Sequence, residues 1–590
     1  MDRDSVTLNL PRLRAGPTRT NLLLWGAPLI FLLVFYLYPL GSILNLSFAR
    51  SEAGFLAPFI EIFRSPTERN VVWFTIWQAA LSTLLTLGVG LPGAYLMARY
   101  QFPGKSLLRA LTGVPFVLPT LVAATAFDSL LGPRGWINLG LMSLFNKDIP
   151  IINFNHTLTA ILVVHVFYNT TIVLRIVGDF WSRLNPRLGE AARLLGADSW
   201  QVMRHVTLPL LAPAITAAAL LVFIFDFTSF GVILVLGGPH FATMEVEIFY
   251  QTTGLFNLPL AAALSILQLI FTLTFTLLYT RLSADLSRPL ALRSQDYTQR
   301  PLNTWRSRLL AISIAGFLLF LLILPLSSLA LRSVTRLEGD RGQTGPVQRG
   351  LTLEFYRQLA INQRQSMFFV PPTTAIAISL GYAAATVVFA LTLGIPAAWA
   401  LSRNQQSSPN GRGTGIAINH LLDSLLMLPI GTSAVTMGLG FVITLSRPPL
   451  DLRASFLLIP LAHTLVAFPF VVRSLTPAMR SIQPRLRHAA TVLGASPSQV
   501  IRYVDFPLVG RALLVAATFA FTISLGEFGA TSLLARPEYP TVPVAIYRFI
   551  SRPGGLNYGQ ALALSTILMG VCLVGMLAIE HFRIAGAGEF

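Results

Sequence analysis

Pro186-Arg187-Leu188-Gly189-Glu190-Ala191-Ala192-Arg193-Leu194-Leu195-Gly196-Ala197-Asp198, running on to Val206-Thr207-Leu208-Pro209, is a polar stretch set between long apolar segments. It recurs 298 positions later as Pro484-Arg485-Leu486-Arg487-His488-Ala489-Ala490-Thr491-Val492-Leu493-Gly494-Ala495-Ser496, ending Val504-Asp505-Phe506-Pro507. In each copy a proline opens a short helix, a position where its missing N–H is not needed. Ala191-Ala192 and Ala489-Ala490 give that helix a flat face that another protein's backbone can approach closely. Gly196 and Gly494 end it, as glycine does just past a helix C-terminus. A second helix starts at once: Ser496-Pro497-Ser498-Gln499 is a complete capping box, and Asp198-Ser199-Trp200-Gln201 reads the same way. Pro209 and Pro507 lead into the next apolar segment. An interfacial amphipathic helix would explain one such loop. Two copies, with the same Ala-Ala-x-x-x-Gly and the same distance to a proline, indicate helix, sharp turn, helix.

The segments on either side set the class. Of 590 residues, 54% are hydrophobic and 12% charged, against about 25% charged in a soluble domain. Apolar runs of about 20 residues recur throughout, each able to cross a ~30 Å hydrocarbon core as a helix. Twelve spans are expected, within 22–40, 71–98, 107–131, 157–180, 208–236, 259–280, 309–331, 374–402, 420–445, 454–473, 507–534 and 561–580. The fold class is all-α, polytopic and embedded in the lipid bilayer. Arg12, Arg14 and Arg19 precede the first run as in a signal peptide, but the run is long and no small-x-small site follows closely. An uncleaved first helix is expected, with Tyr36 and Tyr38 as interfacial anchors. The net charge of +18 comes almost wholly from arginine, the only lysines being Lys105 and Lys147. These arginines are spread among short loops, the pattern that orients membrane helices, and no basic patch for nucleic acid emerges. The lone Cys572 allows no disulfide within the chain and no cysteine-built metal site.

Repetition extends beyond the opening stretch. Span two ends Leu91-Pro92-Gly93-Ala94 and span eight Ile395-Pro396-Ala397-Ala398; Gly113-Val114-Pro115 of span three answers Met427-Leu428-Pro429 of span nine. His165, Arg175 and Phe230-Gly231 match His463, Arg473 and Phe528-Gly529 at the same 298 offset. Each half has an even number of spans, so the halves run in parallel about a pseudo-twofold along the membrane normal. Residues 1–300 form the first repeat with loop 184–209, and residues 301–590 the second with loop 482–507. Ser283–Arg308 is an arginine-rich linker between them. The excess of lysine and arginine places both termini, the linker and both loops inside, and leaves the long polar segment 332–372 outside.

Glu190-Ala191-Ala192, three residues, Gly196, nine residues, then Val206-Thr207-Leu208-Pro209 resembles the coupling motif of bacterial ABC-importer permeases. Fused twelve-span chains of this arrangement are similar to the permeases of the thiamine and ferric-iron import systems, and the resemblance covers nearly the whole chain. It implies two parallel six-helix repeats of the type I importer permease fold in the bacterial inner membrane. It also implies an ATPase dimer gripped by Glu190, Ala191, Ala192, Gly196 and Pro209, and by His488, Ala489, Ala490, Gly494 and Pro507, with a substrate-binding protein on the outer side. The second copy departs from the motif at His488, which stands for the glutamate, and at Phe506, which stands for the leucine. No Gly-x-x-x-x-Gly-Lys phosphate loop is present. The chain is expected to be no enzyme and to need no cofactor, ATP hydrolysis belonging to the separate subunit.

Ionisable residues inside spans are costly and default to function. Asp226 lies about 27 Å beyond Leu208 along a straight helix at ~1.5 Å per residue. Glu527 matches Ser229, one turn further on. Both are candidates to line a translocation path and favour a small cation such as thiamine or ferric iron; the alternative is a polar contact that holds helices together. His165 and His463 suit helix–helix hydrogen bonds better than metal ligation. Asp128 and Asp423 sit near span ends, where solvation is easy, and Glu245 and Glu247 fall in the outer loop after span five, within reach of a binding protein. An ion-gradient-driven secondary transporter with two six-span halves would share the parallel repeats and the carboxylates, but gives no reason for the doubled loop.

Overall fold

Helices dominate because every backbone polar group must be satisfied inside lipid. The computed structural model describes residues 19–49, 57–286, 299–337, 350–361, 370–406, 422–446 and 451–582. Arg12, Arg14, Glu338, Asp340 and linker residues 287–298 lie outside the described residues.

Among the described residues, ten helices are long and apolar enough to span: Leu24–Ser47, Pro66–Arg99, Leu158–Arg183, Ser199–Phe227, Leu258–Leu282, Trp305–Ser333, Pro372–Ser402, Leu458–Arg480, Pro497–Gly526 and Gly555–Ala578. Spans three and nine are broken, in keeping with the prolines inside them, which suggest kinks or broken helices around a cavity. Lys105–Val117 meets Thr120–Leu144 at 108°, and Leu422–Gly431 meets Ala434–Thr444 at 98°. Pro119 stands at the first break, as N-cap of the helix that follows it. Pro429 lies in the short 3-10 turn Leu428–Gly431 at the second, where Ser433 accepts the N–H groups of Val435 and Thr436 to start the next helix. Proline removes a backbone donor and clashes with the preceding turn, so each break falls beside one.

Spans five and eleven also differ from expectation. They begin inside the polar loops, at Ser199 and Pro497, and end at Phe227 and Gly526 instead of continuing to 236 and 534. The second helix of each loop is therefore the first turn of the span itself. A single π-turn, Met203–Thr207 or Ile501–Asp505, precedes Pro209 or Pro507 in each case. Widening one turn keeps the helix running past a residue that cannot donate.

The two halves interlock. Span one packs on the second half, with Trp25, Phe31, Leu32 and Tyr36 in one buried cluster with Ala397, Phe441 and Phe468. Tyr36 is a core residue, 1% exposed, its hydroxyl 2.7 Å from Thr432 Oγ1; only Tyr38 stays exposed as an anchor would. Span seven in turn packs on the broken span three, where Ser328 and Ser129 hydroxyls meet at 2.9 Å. The linker is tied down by a two-residue parallel ladder, Tyr100–Gln101 with Arg300–Pro301.

Candidate functional site

The polar loops hold two helix–turn–helix units. In the first, Arg187–Leu194 ends in a Schellman turn: Gly196 N–H donates to Arg193 C=O and Ala197 N–H to Ala192 C=O, both at 3.0 Å. The second repeats it with Gly494 to Thr491 and Ala495 to Ala490, also at 3.0 Å. Gly196 and Gly494 have φ of +92° and +86°, in the left-handed region that costs an L-residue roughly 1–2 kcal/mol. Both capping boxes are present, Asp198 with Gln201 and Ser496 with Gln499. Each turn thrusts out an apolar pair. Leu194 and Leu195 are both 90% exposed, and Val492 and Leu493 are 86% and 87% exposed.

The loops are braced differently. Arg487 Nε lies 2.8 Å from Asp505, and its guanidinium sits 5.6 Å from the Trp399 ring, tying the short helix to the π-turn. The first loop has Gly189 and Thr207 at these places. Its Glu190 instead reaches Arg300 of the linker at 3.3 Å, an exposed pair of the kind worth ~0–1 kcal/mol. Ala191, Ala489 and His488 are exposed, while Ala192 and Ala490 are half-buried.

Asp226 and Glu527 close on a shared cavity of about 370 Å³, walled by the broken spans three and nine and by spans four, five, ten and eleven. Both are buried, at 1% and 8% exposure. Each lies against the histidine of its own half. His165 Nδ1 lies 3.3 Å from Asp226 and its Nε2 2.8 Å from Ser229. His463 Nδ1 lies 2.7 Å from Ser524 and its Nε2 3.2 Å from Glu527. Ser524 is the 298-offset partner of Asp226, and Ser229 that of Glu527. The carboxylate is thus transposed across the imidazole from one half to the other. Asn169 also donates to Asp226 at 2.6 Å. Glu527 accepts the N–H groups of Ala530 and Thr531 and the Thr531 hydroxyl.

Phe230 and Phe528, matched in sequence, stack across the junction with centroids 5.4 Å apart at 23°. Phe249 and Tyr547 extend this to a row of four rings, at 5.4 Å and 5.5 Å from their neighbours.

Residues 90–288 match the family of binding-protein-dependent transport system inner membrane components. Over 518 residues the chain is 29% identical to the thiamine transport system permease protein ThiP of Brucella abortus (strain 2308), with 87% of each chain covered. ThiP of Escherichia coli (strain K12) is 26% identical over 559 residues, covering 92% of this chain and 96% of that one. The chain is similar to the permease subunits of binding-protein-dependent importers over nearly its whole length. A solved bacterial ABC transporter involved in the import of alginate aligns with 46% of this chain and 98% of its own, at 17% identity and a TM-score of 0.38. The family match contains the first helix–turn–helix unit, His165 and Asp226.

Two acidic residues of the chain are placed otherwise than expected. Asp128 is 7% exposed and accepts from Asn155 instead of facing solvent. Glu245 is not an outer-loop contact. It lies on the short helix Met244–Thr253 between spans five and six, is 1% exposed, and reaches the cavity wall. Its carboxylate accepts from Gln268 and from Ser433, both at 2.6 Å. Burial raises the Glu245 carboxyl to about 7, with these two hydrogen bonds acting against the shift. Signals for this buried helix exist in the sequence. Met244, Ile248, Phe249 and Thr252 recur at helical spacing, and Phe249 answers Tyr547 at the 298 offset.

Proposed function

We propose that the chain is the membrane subunit of an ATP-driven thiamine importer, built of two parallel six-span repeats, 1–300 and 301–590, in the type I arrangement. The observation that carries this is the doubled helix–turn–helix unit. A sequence-distant pair of Schellman turns, each projecting two exposed apolar side chains beside an Ala-Ala face, is suited to seat in a cleft of another protein. Loops 184–209 and 482–507 grip an ATPase dimer through Glu190, Ala191, Ala192, Gly196 and Pro209 and through His488, Ala489, Ala490, Gly494 and Pro507. Because each unit is continuous with span five or eleven, a push on the loop is delivered along a helix to Asp226 or to Gly526 beside Glu527. The chain itself carries out no hydrolysis.

Thiamine is the substrate favoured over ferric iron. The two relatives quoted above are thiamine permeases by name, and the cavity joins carboxylates to phenylalanine rings, which suit a cationic aromatic solute. Asp226 and Glu527 line the path. A substrate-binding protein delivers the solute from outside the bacterial inner membrane, with both termini cytoplasmic as the arginine bias indicates.

The test is thiamine uptake in cells lacking their own permease, supplied with this chain, its ATPase and its binding protein. The exposed Glu190 contributes little to folding, so Glu190→Ala should act on the ATPase contact and lower uptake about tenfold, the value of one charge-assisted hydrogen bond. His488→Ala, in the internally braced loop, should lower it far less. Equal effects would show that loop shape and not the carboxylate makes the contact. A parent chain that moves no thiamine would remove the substrate assignment.

A further inference from the structure

We propose that Glu245 makes the cavity selective for an organic cation, as the one cavity carboxylate with no basic side chain set against it among the described residues. This deepens the reading of the cavity as a cation path and rests on it. Asp226 has His165 against it and Glu527 has His463. Glu527 is further committed to the fold, because it accepts the backbone N–H groups of Ala530 and Thr531 that open the helix Gly529–Leu534. Glu245 has only a neutral amide and a neutral hydroxyl, Gln268 and Ser433, and no basic side chain is paired with it among the described residues. A buried carboxylate without a counter-charge is costly, and two hydrogen bonds leave it further lone-pair capacity. A cation entering the cavity supplies the missing charge.

The placement suits a transport site. Ser433 caps the helix after the break in span nine, so the Glu245–Ser433 bond joins the first half to the second at the cavity wall. Helix Met244–Thr253 is fixed where Met244 N–H donates to Thr75 at 3.0 Å. The matching helix Val542–Ile550 is fixed by Val542 N–H to Ser379 at 2.8 Å. At the position answering Glu245 that helix carries Pro543. The charge is therefore single and off the pseudo-twofold, beside the stacked Phe230 and Phe528 whose faces can receive the same cation.

The experiment is equilibrium dialysis on the purified permease–ATPase complex with three probes. These are radiolabelled thiamine, tetraethylammonium, and an uncharged thiamine isostere in which thiophene replaces the thiazolium ring. Glu245→Gln should weaken thiamine and tetraethylammonium by about tenfold or more, a loss of about 1.4 kcal/mol, and leave the isostere unchanged. Glu245→Asp, which keeps but retracts the charge, should fall between; it also serves if Glu245→Gln does not fold, as judged by melting temperature. Thiamine bound equally by parent and Glu245→Gln would overturn the role of Glu245 and leave the substrate assignment standing. Tetraethylammonium bound in a Glu245-dependent way, with thiamine not bound, would do the reverse. Binding of neither cation would overturn both.

Discussion

Replacing Gly196 and Gly494 together by tryptophan should abolish coupled transport while the permease still folds. Nothing lies within 4 Å of a Cβ built on either glycine, so the bulk meets no obstacle within the chain. The backbone, at φ +92° and +86°, resists a side chain by about 1–2 kcal/mol per site, too little to unfold a protein of ordinary stability. The Schellman turn that aims Leu194–Leu195 and Val492–Leu493 would open, and an indole would stand at each tip. Co-purification of the ATPase and thiamine uptake should both fall to background, with the melting temperature of the permease nearly kept. Retention of both in the double variant would show that the loops are not where the ATPase binds.

His463→Leu should be the most damaging single change in the membrane interior. The imidazole touches Ser524, Thr531 and Glu527 at once. Leucine would leave two hydroxyls and a carboxylate buried without it, and breaking a buried charged pair costs about 3–5 kcal/mol. His165→Leu should cost less, because Asp226 keeps Asn169 at 2.6 Å. Melting of the two purified variants in detergent should therefore rank His463→Leu well below His165→Leu, with His463→Gln partly restored. Equal losses would mean that Glu527 is held by its backbone donors alone.

Span number and the two loops were legible because they rest on local chemistry. Capping boxes, glycine after a helix and runs of about 20 apolar residues act over a few positions. Both boxes and both turns formed as read from Asp198, Ser496, Gly196 and Gly494. What sequence reading missed depends on tertiary packing. Pro119 and Pro429 suggested kinks or broken helices, but not the angles of 108° and 98° at which the two spans turn. Tyr36 suited an interface until span one was found packed on the opposite half. Glu245 read as a loop residue because its helix is too short to span, although its apolar spacing pointed to burial. The transposed Asp–His–Ser and Ser–His–Glu arrangements were half-legible. The histidines and both carboxylates stood out singly, but Ser524 and Ser229 gave no sign of completing them.

ATP-dependent uptake of radiolabelled thiamine by proteoliposomes, containing this permease and its ATPase with the binding protein added outside, tests the account most directly. Uptake should need ATP on the ATPase side and the binding protein on the other, and should survive collapse of all ion gradients. Uptake that runs without ATP and stops when an ion gradient is dissipated would contradict it, and would make the chain a secondary transporter.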